Sequence, residues 1–341
     1  MLCRGYARDM VGHPFALGYD RETVLLGEVL DRQVAVLREA HRAGDPVAAE
    51  VLRGTGAEGT EAELLARALT VADARLAIAR DHGYVDWAAA RAHADVVLDT
   101  RFEAAADAIQ WGELTVLQDL LDAHPPLVSV RSPFPHRCML LHHVAANGIE
   151  VERQLQSPPN ATQVMSLLLD RGAEPDAPCD LYGGGLSMTT MCLLVSSCVP
   201  AEAGVQAPLV KVLCRGGAAV NGPEDDGAPL RTAIAFGYTK AAEELVRCGA
   251  RVDNLVFHAA LGDLAAVRAC FTAGVPEGNQ LEFALGAAAL HGRYAVVEFL
   301  LGKDPDLSFA DPSFDATARG AARYAGHTEI VALIDERLAA P

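Results

Sequence analysis

The most constraining feature of the sequence is a short unit, residues 226–253, whose pattern predicts two small helices joined by a glycine. Pro229 suits the first turn of a helix, where its missing N–H costs nothing. Gly237 ends that helix, Thr239 is placed to cap the next, and Gly249 suits the left-handed turn that follows. Neither helix can bury its narrow apolar face alone, so the unit requires copies of itself on both sides.

The helix-breaking glycine recurs along the chain, followed by apolar pairs at fixed offsets such as Val296-Val297 and Leu300-Leu301. The interval between Gly148 and Gly237 is too long for a single unit, and we account for it by one further copy and two insertions, 149–160 and 198–205. This gives about seven repeats, whose recognisable anchor glycines are Gly112, Gly148, Gly237, Gly262, Gly292 and Gly326.

Residues 141–148 (LHHVAANG) and 326–331 (GHTEIV) resemble the wording of ankyrin repeats, which have units of about 33 residues. The resemblance covers roughly residues 101–340, and it implies an all-α ankyrin-repeat α-solenoid that binds other proteins. Only Leu141-His142 keeps the His that ties neighbouring repeats in this family, so we expect less regular stacking.

The residues before the repeats have a different pattern. Residues 1–20 have no periodicity, and we expect them to be poorly ordered; residues 21–99 predict helices over 22–42 and 46–52, a long one from Thr60 to Gly83, and another to about Leu98. Residues 79–87 (ARDHGYVDW) resemble the helical segment before the repeats in a group of bacterial ankyrin-repeat proteins. A first repeat needs its apolar face covered, so we predict a capping module at 21–99 and the array at 100–341.

Composition narrows the class of partner and the compartment. The net charge of −17 disfavours nucleic acid and anionic membranes and favours a partner with a basic patch. No signal segment or membrane-spanning run is recognisable. The eight cysteines are scattered, which predicts small buried residues in a reducing cytoplasm.

The residues just before each anchor glycine face the concave groove of an ankyrin stack. The resulting candidates for partner binding are Trp111, Asn147, Phe236, Leu261, Leu290, His291 and Tyr324. The alternative is that irregular stacking buries these side chains between repeats.

The two insertions form a second candidate site together with the glycine run that enters repeat three. Its residues are Tyr182, Gly183, Gly184, Gly185, Pro158, Asn160 and Glu202. The alternative is that the insertions only cover helix ends and that the glycines serve the chain path. The run lacks the Gly-Lys-Ser/Thr of a phosphate-binding loop.

Metal-capable side chains cluster at His136, Cys138, His142 and His143, but their spacing matches no standard zinc pattern. No nucleophile stands in a recognised catalytic turn. The sequence therefore predicts a non-catalytic protein-binding scaffold without a cofactor or metal. The alternative function is a small-molecule or metal site, possibly enzymatic, formed by the insertions and the loop 182–185.

Overall fold

The computed structural model describes residues 21–274 and 276–339, which belong to two compact units. The first unit ends at Ala218, and the second begins at Ala219. The expectation for residues 1–20 lies outside the described residues. The boundary expected between the N-terminal module and the array falls inside the first unit and remains a prediction.

The N-terminal part of the first unit is helical, with its two ends joined by a small antiparallel sheet. Its elements are β1 (Thr23–Leu25), α1 (Leu26–Ala43), α2 (Pro46–Gly54), α3 (Glu61–Ala66), α4 (Val71–Asp81), α5 (Trp87–Arg91) and β2 (Val97–Asp99). The prediction of one long helix from Thr60 to Gly83 is wrong, because Thr70 and Asp73 form a second capping box that starts α4. The last predicted helix ends early, and β2 follows it. Leu30, Leu37 and Ile78 lie in the core of this part.

Three helix pairs complete the first unit. They are α6 (Thr100–Trp111) with α7 (Leu114–Ala123), α8 (Leu140–His143) with α9 (Ala161–Asp170), and α10 (Thr190–Ser196) with α12 (Gln206–Arg215) after the short α11 (Cys198–Glu202). The first helices of successive pairs contact each other, and so do the second helices. Between them lie β3 (Pro178–Asp180), which pairs antiparallel with β4 (Ser187–Thr189), and 3₁₀ helices at Pro125–Ser129, Val151–Gln154 and Leu181–Gly183.

The second unit contains four further pairs. They are α13 (Ala228–Ala235) with α14 (Thr239–Arg247), α15 (Leu255–Leu261) with α16 (Leu264–Ala273), α17 (Gln280–Leu290) with α18 (Tyr294–Leu301), and α19 (Ala318–Tyr324) with α20 (Thr328–Ala339). A hairpin of β5 (Ala310–Asp311) and β6 (Ala316–Thr317) precedes α19. Val267, Leu285, Val297 and Ile330 are buried in its core. The predicted all-α fold with seven ankyrin-type helix pairs is thus confirmed for the described residues.

The six anchor glycines share one backbone conformation, with φ between 69° and 81°. This left-handed region is strained for other residues, so glycine is the residue that lets the chain turn from the first helix of a pair into the second. Thr239 does not cap its helix as expected: it is the first residue of α14, and its hydroxyl lies 2.7 Å from His291 Nδ1.

Different side chains tie successive helix pairs together. His142 forms the tie that the sequence predicts, since its Nε2 donates to Ala177 O at 2.8 Å. In the second unit, Arg293 Nε donates to Ala260 O at 2.8 Å, and His327 Nε2 lies 3.2 Å from Leu290 O. Both residues directly follow an anchor glycine, so these two turns tie their repeats to the preceding ones.

Within the described residues, every helix is too short or too polar to cross a membrane.

Candidate functional site

The predicted groove residues differ in how much of each side chain is accessible. Phe236 and Tyr324 are exposed by 46% and 72%. Trp111, Leu261 and Leu290 are half-buried. Only the two exposed aromatic side chains offer a large apolar surface to a partner.

Two predicted groove residues are held by contacts within their own unit. His291 is buried, with Nε2 2.9 Å from Ile234 O and Nδ1 2.7 Å from Thr239 Oγ1, so its assignment to an accessible groove is wrong. Asn147 is half-buried, and its Nδ2 donates to Ser196 Oγ at 2.9 Å. Both serve the packing between repeats.

Phe236 has an aromatic partner that the sequence pattern does not indicate. Phe314 lies in the turn between β5 and β6, and its ring contacts Phe236 edge to face with 5.8 Å between centroids. Phe314 is 48% exposed, so the pair remains open on the surface of the second unit. We call Phe236 and Phe314 the aromatic pair. The signal that could have found it is an aromatic residue at the tip of an unusually long inter-repeat loop.

The hairpin that carries Phe314 is acidic. Residues 302–317 contain Asp304, Asp306, Asp311 and Asp315, against a single lysine. Asp315 is exposed next to Phe314, whereas Asp304 is paired with Arg337 at 2.7 Å. The aromatic pair therefore lies beside negative charge.

The second candidate site is brought together only in part. Tyr182 adopts φ 49°, which is uncommon for a bulky residue. Its hydroxyl lies 3.1 Å from Asn147 Oδ1 and 3.0 Å from Gln154 Oε1, both acceptors. The loop thus links a predicted groove residue to the first insertion.

The other members of this candidate site do different things. Asn160 Nδ2 donates to Gly112 O at 2.8 Å, and a Cβ added at Gly112 would lie 2.7 Å from Pro158 Cβ. Gly184 and Gly185 are exposed in the loop, and Glu202 is exposed in α11. Pro158 and Asn160 therefore cover the turn of the first repeat.

The glycine run serves a close backbone crossing. A Cβ added at Gly83 would lie 2.7 Å from Tyr182 O, and one added at Gly183 would lie 3.0 Å from Gly83 O. Both glycines have positive φ. The two stretches singled out in the sequence, 79–87 and 182–185, meet here, and only glycine allows this approach.

The first insertion packs against neighbouring elements through charged side chains. The Val151 amide donates to Asp81 Oδ1 at 2.9 Å, and Arg153 Nη2 lies 2.8 Å from Glu103 Oε2 and 3.0 Å from Asp107 Oδ1. Glu150, Glu152 and Arg153 are all buried. The 3₁₀ helix 151–154 therefore packs between α4 and α6 and joins the N-terminal part to the first repeat.

A buried carboxylate, Glu150, lies at the centre of this polar network. His136 Nε2 donates to Glu150 Oε1 at 2.9 Å, while His136 Nδ1 accepts from the Cys138 amide at 3.0 Å. His82 stacks on Phe134 and lies 3.5 Å from the same carboxylate oxygen. Burial alone would raise the pKa of Glu150, but His136 and Arg153 beside the carboxylate outweigh it and hold the pKa well below its usual range.

The pKa values of two surrounding acids shift in the opposite direction, because burial dominates there. Burial raises the pKa of Asp81 to about 6, against the attraction of His82. Burial and the neighbouring Asp81 raise the pKa of Glu152 well above its usual range. The network thus combines one carboxyl group whose pKa is lowered with two neighbouring acids whose pKa values are raised.

The four metal-capable residues named from the sequence are not brought to one point. His136 turns to Glu150, and His143 contacts the rings of Phe102 and His136. Cys138 and His142 instead lie beside Cys179, and the possible ligand atoms of these three buried residues are within 4.8 Å of one another. Cys179 is distant in sequence, so spacing could not have revealed this group.

The expectation that the cysteines are small buried residues with free thiols is met in part. Cys138, Cys179 and Cys192 are buried thiols, whereas Cys214, Cys248 and Cys270 are partly exposed. Cys198 takes part in a disulfide, which departs from the expected thiol.

Comparison with known proteins adds little to this description. No protein-family model matches the sequence, and no curated protein matches it. The crystal structure of the human ASB11 ankyrin repeat domain is similar with a TM-score of 0.41 and 18% sequence identity, over 72% of this chain and 100% of that chain. The ankyrin-type assignment therefore depends on the helix pairs and their glycine turns.

Proposed function

We propose that this protein is a non-catalytic scaffold that binds another protein through the aromatic pair of its second unit. Stacked ankyrin-type helix pairs form rigid surfaces that lose little entropy on association, which suits this role. The observation that carries the proposal is the contact of Phe236 with Phe314, in which both rings stay about half exposed. Aromatic anchors of this kind dominate the binding energy of interfaces.

The surroundings of the aromatic pair define the chemistry of the partner. Asp315 stands exposed next to Phe314, and the whole chain carries a net charge of −17. Aromatic faces attract guanidinium groups, and carboxylates pair with them. The expected partner therefore presents an arginine or lysine beside an aliphatic or aromatic side chain.

The buried network of the first unit supports a structural role for its titratable groups. Glu150 and Arg153 are buried; Arg153 pairs with Glu103 of α6, and Glu150 lies 3.5 Å from His82 of the N-terminal part. We infer that these groups hold the first unit together and that the partner-binding surface lies on the second unit.

Selection from a displayed library of random peptides tests the proposal. Peptides retained by the protein are expected to be enriched in Arg or Lys beside an apolar residue. A selected peptide, labelled for fluorescence anisotropy, is expected to bind Phe236→Ala and Phe314→Ala about tenfold or more weakly than the unchanged protein, since loss of a central anchor costs about 1–2 kcal/mol or more.

The matched control is Val85→Ala, which removes a side chain 76% exposed on the first unit. Circular dichroism before and after heating checks that each variant is folded. If Val85→Ala weakens peptide binding as much as the two Phe variants do, or if the Phe variants bind the peptide normally, the aromatic pair is not the binding surface.

A further inference from the structure

The group of Cys138, His142 and Cys179 is a set of metal-ligating side chains that the proposed function does not use. The possible ligand atoms, two sulfurs and an imidazole nitrogen, all lie within 4.8 Å of one another. Cys138 and His142 are 0% exposed, and Cys179 is 2% exposed. Three such atoms at this separation can reach a single ion at metal–ligand distances of about 2.0–2.3 Å after small side-chain movements.

The backbone that carries these side chains is held in place independently of any ion. Cys138 lies two residues before α8, which contains His142, and Cys179 lies in β3. The Asp180 amide donates to His136 O at 2.8 Å, and Arg131 Nη1 donates to both Arg137 O and Pro178 O, at 3.0 and 2.7 Å. The two segments are therefore fixed beside each other, and the ligand set is preorganised.

The two thiols differ in their readiness to ionise. Hydrogen bonding from the Cys138 thiol, assisted by His142, lowers the pKa of Cys179 to about 5, although burial opposes it. Burial and the neighbouring Cys179 raise the pKa of Cys138 well above its usual range. Metal ions bind cysteine as the thiolate, so a bound cation would release thiol protons to solvent.

His142 has the supporting contacts that metal-binding histidines use. Its Nδ1 lies 2.9 Å from the Met139 amide and 3.3 Å from Met139 O, and its Nε2 lies 2.8 Å from Ala177 O. Coordination through one ring nitrogen would displace its present backbone partner, and the other nitrogen would keep its own partner, which fixes the ring as outer hydrogen bonds do in metal sites. A soft set of two sulfurs and one imidazole selects thiophilic ions over Mg²⁺ or Ca²⁺.

We propose that Cys138, His142 and Cys179 form a binding site for a thiophilic d¹⁰ cation, Zn²⁺ or Cu⁺. Such an ion would join the start of the second repeat to the strand that enters the third. Its binding would stabilise the first unit, because the ion binds the folded arrangement and not the unfolded chain.

Metal content after reconstitution tests this site. The reduced protein is unfolded with a chelator, refolded anaerobically with Zn²⁺ in one arm and Cu⁺ in the other, and freed of excess ion before metal analysis. The unchanged protein is expected to retain one equivalent of at least one of the two ions. Cys138→Ser and Cys179→Ser are expected to lose it, with affinity falling by at least about 100-fold. Cys248→Ser, which alters a thiol of the second unit, is the matched control and is expected to retain the ion.

A second measurement on the unchanged protein covers the case in which the serine variants do not fold. Co²⁺ in place of Zn²⁺ is expected to give the near-ultraviolet charge-transfer band of thiolate ligation. Retention of neither ion or equal retention by Cys138→Ser overturns the proposal, and so does the absence of a thiolate band with Co²⁺ when Zn²⁺ is the ion retained. Retention of Zn²⁺ or of Cu⁺ alone identifies the ion.

Discussion

Two buried histidines of the first unit differ in their partners. His136 is bonded on both nitrogens, to Glu150 and to the Cys138 amide. His143 is also buried, but neither of its ring nitrogens has a hydrogen-bond partner among the described residues. Burial lowers the pKa of His143 well below its usual range, which keeps the ring neutral. The same residue type therefore stabilises the fold at one position and costs free energy at the other.

We predict opposite outcomes for the matched substitutions His136→Leu and His143→Leu. His136→Leu removes a partner of the buried Glu150 carboxylate and is expected to lower the free energy of unfolding by about 3–5 kcal/mol. His143→Leu replaces a polar ring without partners by an apolar side chain and is expected to change it by less than about 1 kcal/mol or to raise it. Urea unfolding followed by circular dichroism measures both. Equal losses would show that His143 has a partner that matters.

Asp81 makes the stability of the first unit depend on pH, and the sign of this dependence follows from the pKa of the side chain. Burial raises the pKa from 3.8 to about 6 in the folded protein. The folded state thus holds the proton more tightly than the unfolded chain does, so stability from this group is full below about pH 4 and is lost as the pH rises through about 6. His82, Glu150 and Arg153 lie near the carboxyl group of Asp81 and affect the size of its pKa shift.

Asp81→Asn is predicted to remove this dependence, because the amide keeps an acceptor for the Val151 N–H and cannot ionise. Relative to the unchanged protein, the variant is expected to gain about 2–3 kcal/mol of unfolding free energy between pH 4 and pH 8, which corresponds to a shift of about two pKa units. Urea titrations at the two pH values measure the difference, and any fixed cost of the amide cancels. Asp95→Asn, an exposed carboxyl of the same part, is the control. An identical pH dependence in Asp81→Asn would contradict the assignment.

At the residue scale, the sequence could reveal roles that depend on the local sequence pattern. The tie made by His142 follows from its place in the repeat pattern, and the exposure of Phe236 follows from its place before an anchor glycine. Phe314 and Cys179 could not be found in this way, because each meets its partner through a loop whose path the repeat pattern does not specify. His291 was misplaced because irregular stacking turns its ring toward Ile234 and Thr239.

The first insertion contacts the N-terminal part at a glycine of α2. A Cβ added at Gly54 would lie 2.5 Å from Val151 Cγ2, well inside contact distance. Gly54 is the last residue of α2, and Val151 begins the 3₁₀ helix. The absence of a side chain at Gly54 therefore lets the insertion approach α2 closely.

We predict that Gly54→Ala destabilises the protein by about 1–3 kcal/mol, the usual cost of overpacking, although alanine is the better helix former. The double variant Gly54→Ala/Val151→Ala is expected to recover most of this loss relative to Val151→Ala alone, because the clashing methyl groups are gone. Thermal unfolding of the four proteins gives the coupling between the two positions. Additive effects would mean that the insertion does not rest on α2.

At the element scale, the periodicity of the sequence was sufficient to predict the helix pairs but not the segments between them. The repeating glycines determine where six of the seven pairs turn, and the long interval between Gly148 and Gly237 indicates the seventh. The break between α3 and α4 was missed because apolar spacing continues across it, and only the Thr70–Asp73 capping box marks the new start. The packing of the first insertion could not be predicted, because burial of Glu150 and Arg153 requires partners from α6 and the N-terminal part that composition does not show.

At the scale of the whole molecule, the dominant property is negative charge. The chain carries a formal charge of −17 at pH 7 and has a pI near 5.0. Repulsion among like charges destabilises a folded chain, and the same field attracts a basic partner. Salt screens both effects, so it should strengthen the fold and slow the association.

We predict that salt raises the thermal stability of the protein at pH 7.5. Raising NaCl from about 20 to about 300 mM shortens the screening length from roughly 20 Å to roughly 6 Å. At pH 7.5 the unfolding midpoint is expected to rise by about 2–4 °C, as a gain of about 1 kcal/mol would produce in a domain of this size class. Repeating the scan at pH 5, where the net charge is close to zero, should remove most of the rise. A midpoint that falls with salt at pH 7.5 would mean that surface ion pairs such as Arg251–Asp225 outweigh the net repulsion, which exposed pairs rarely do.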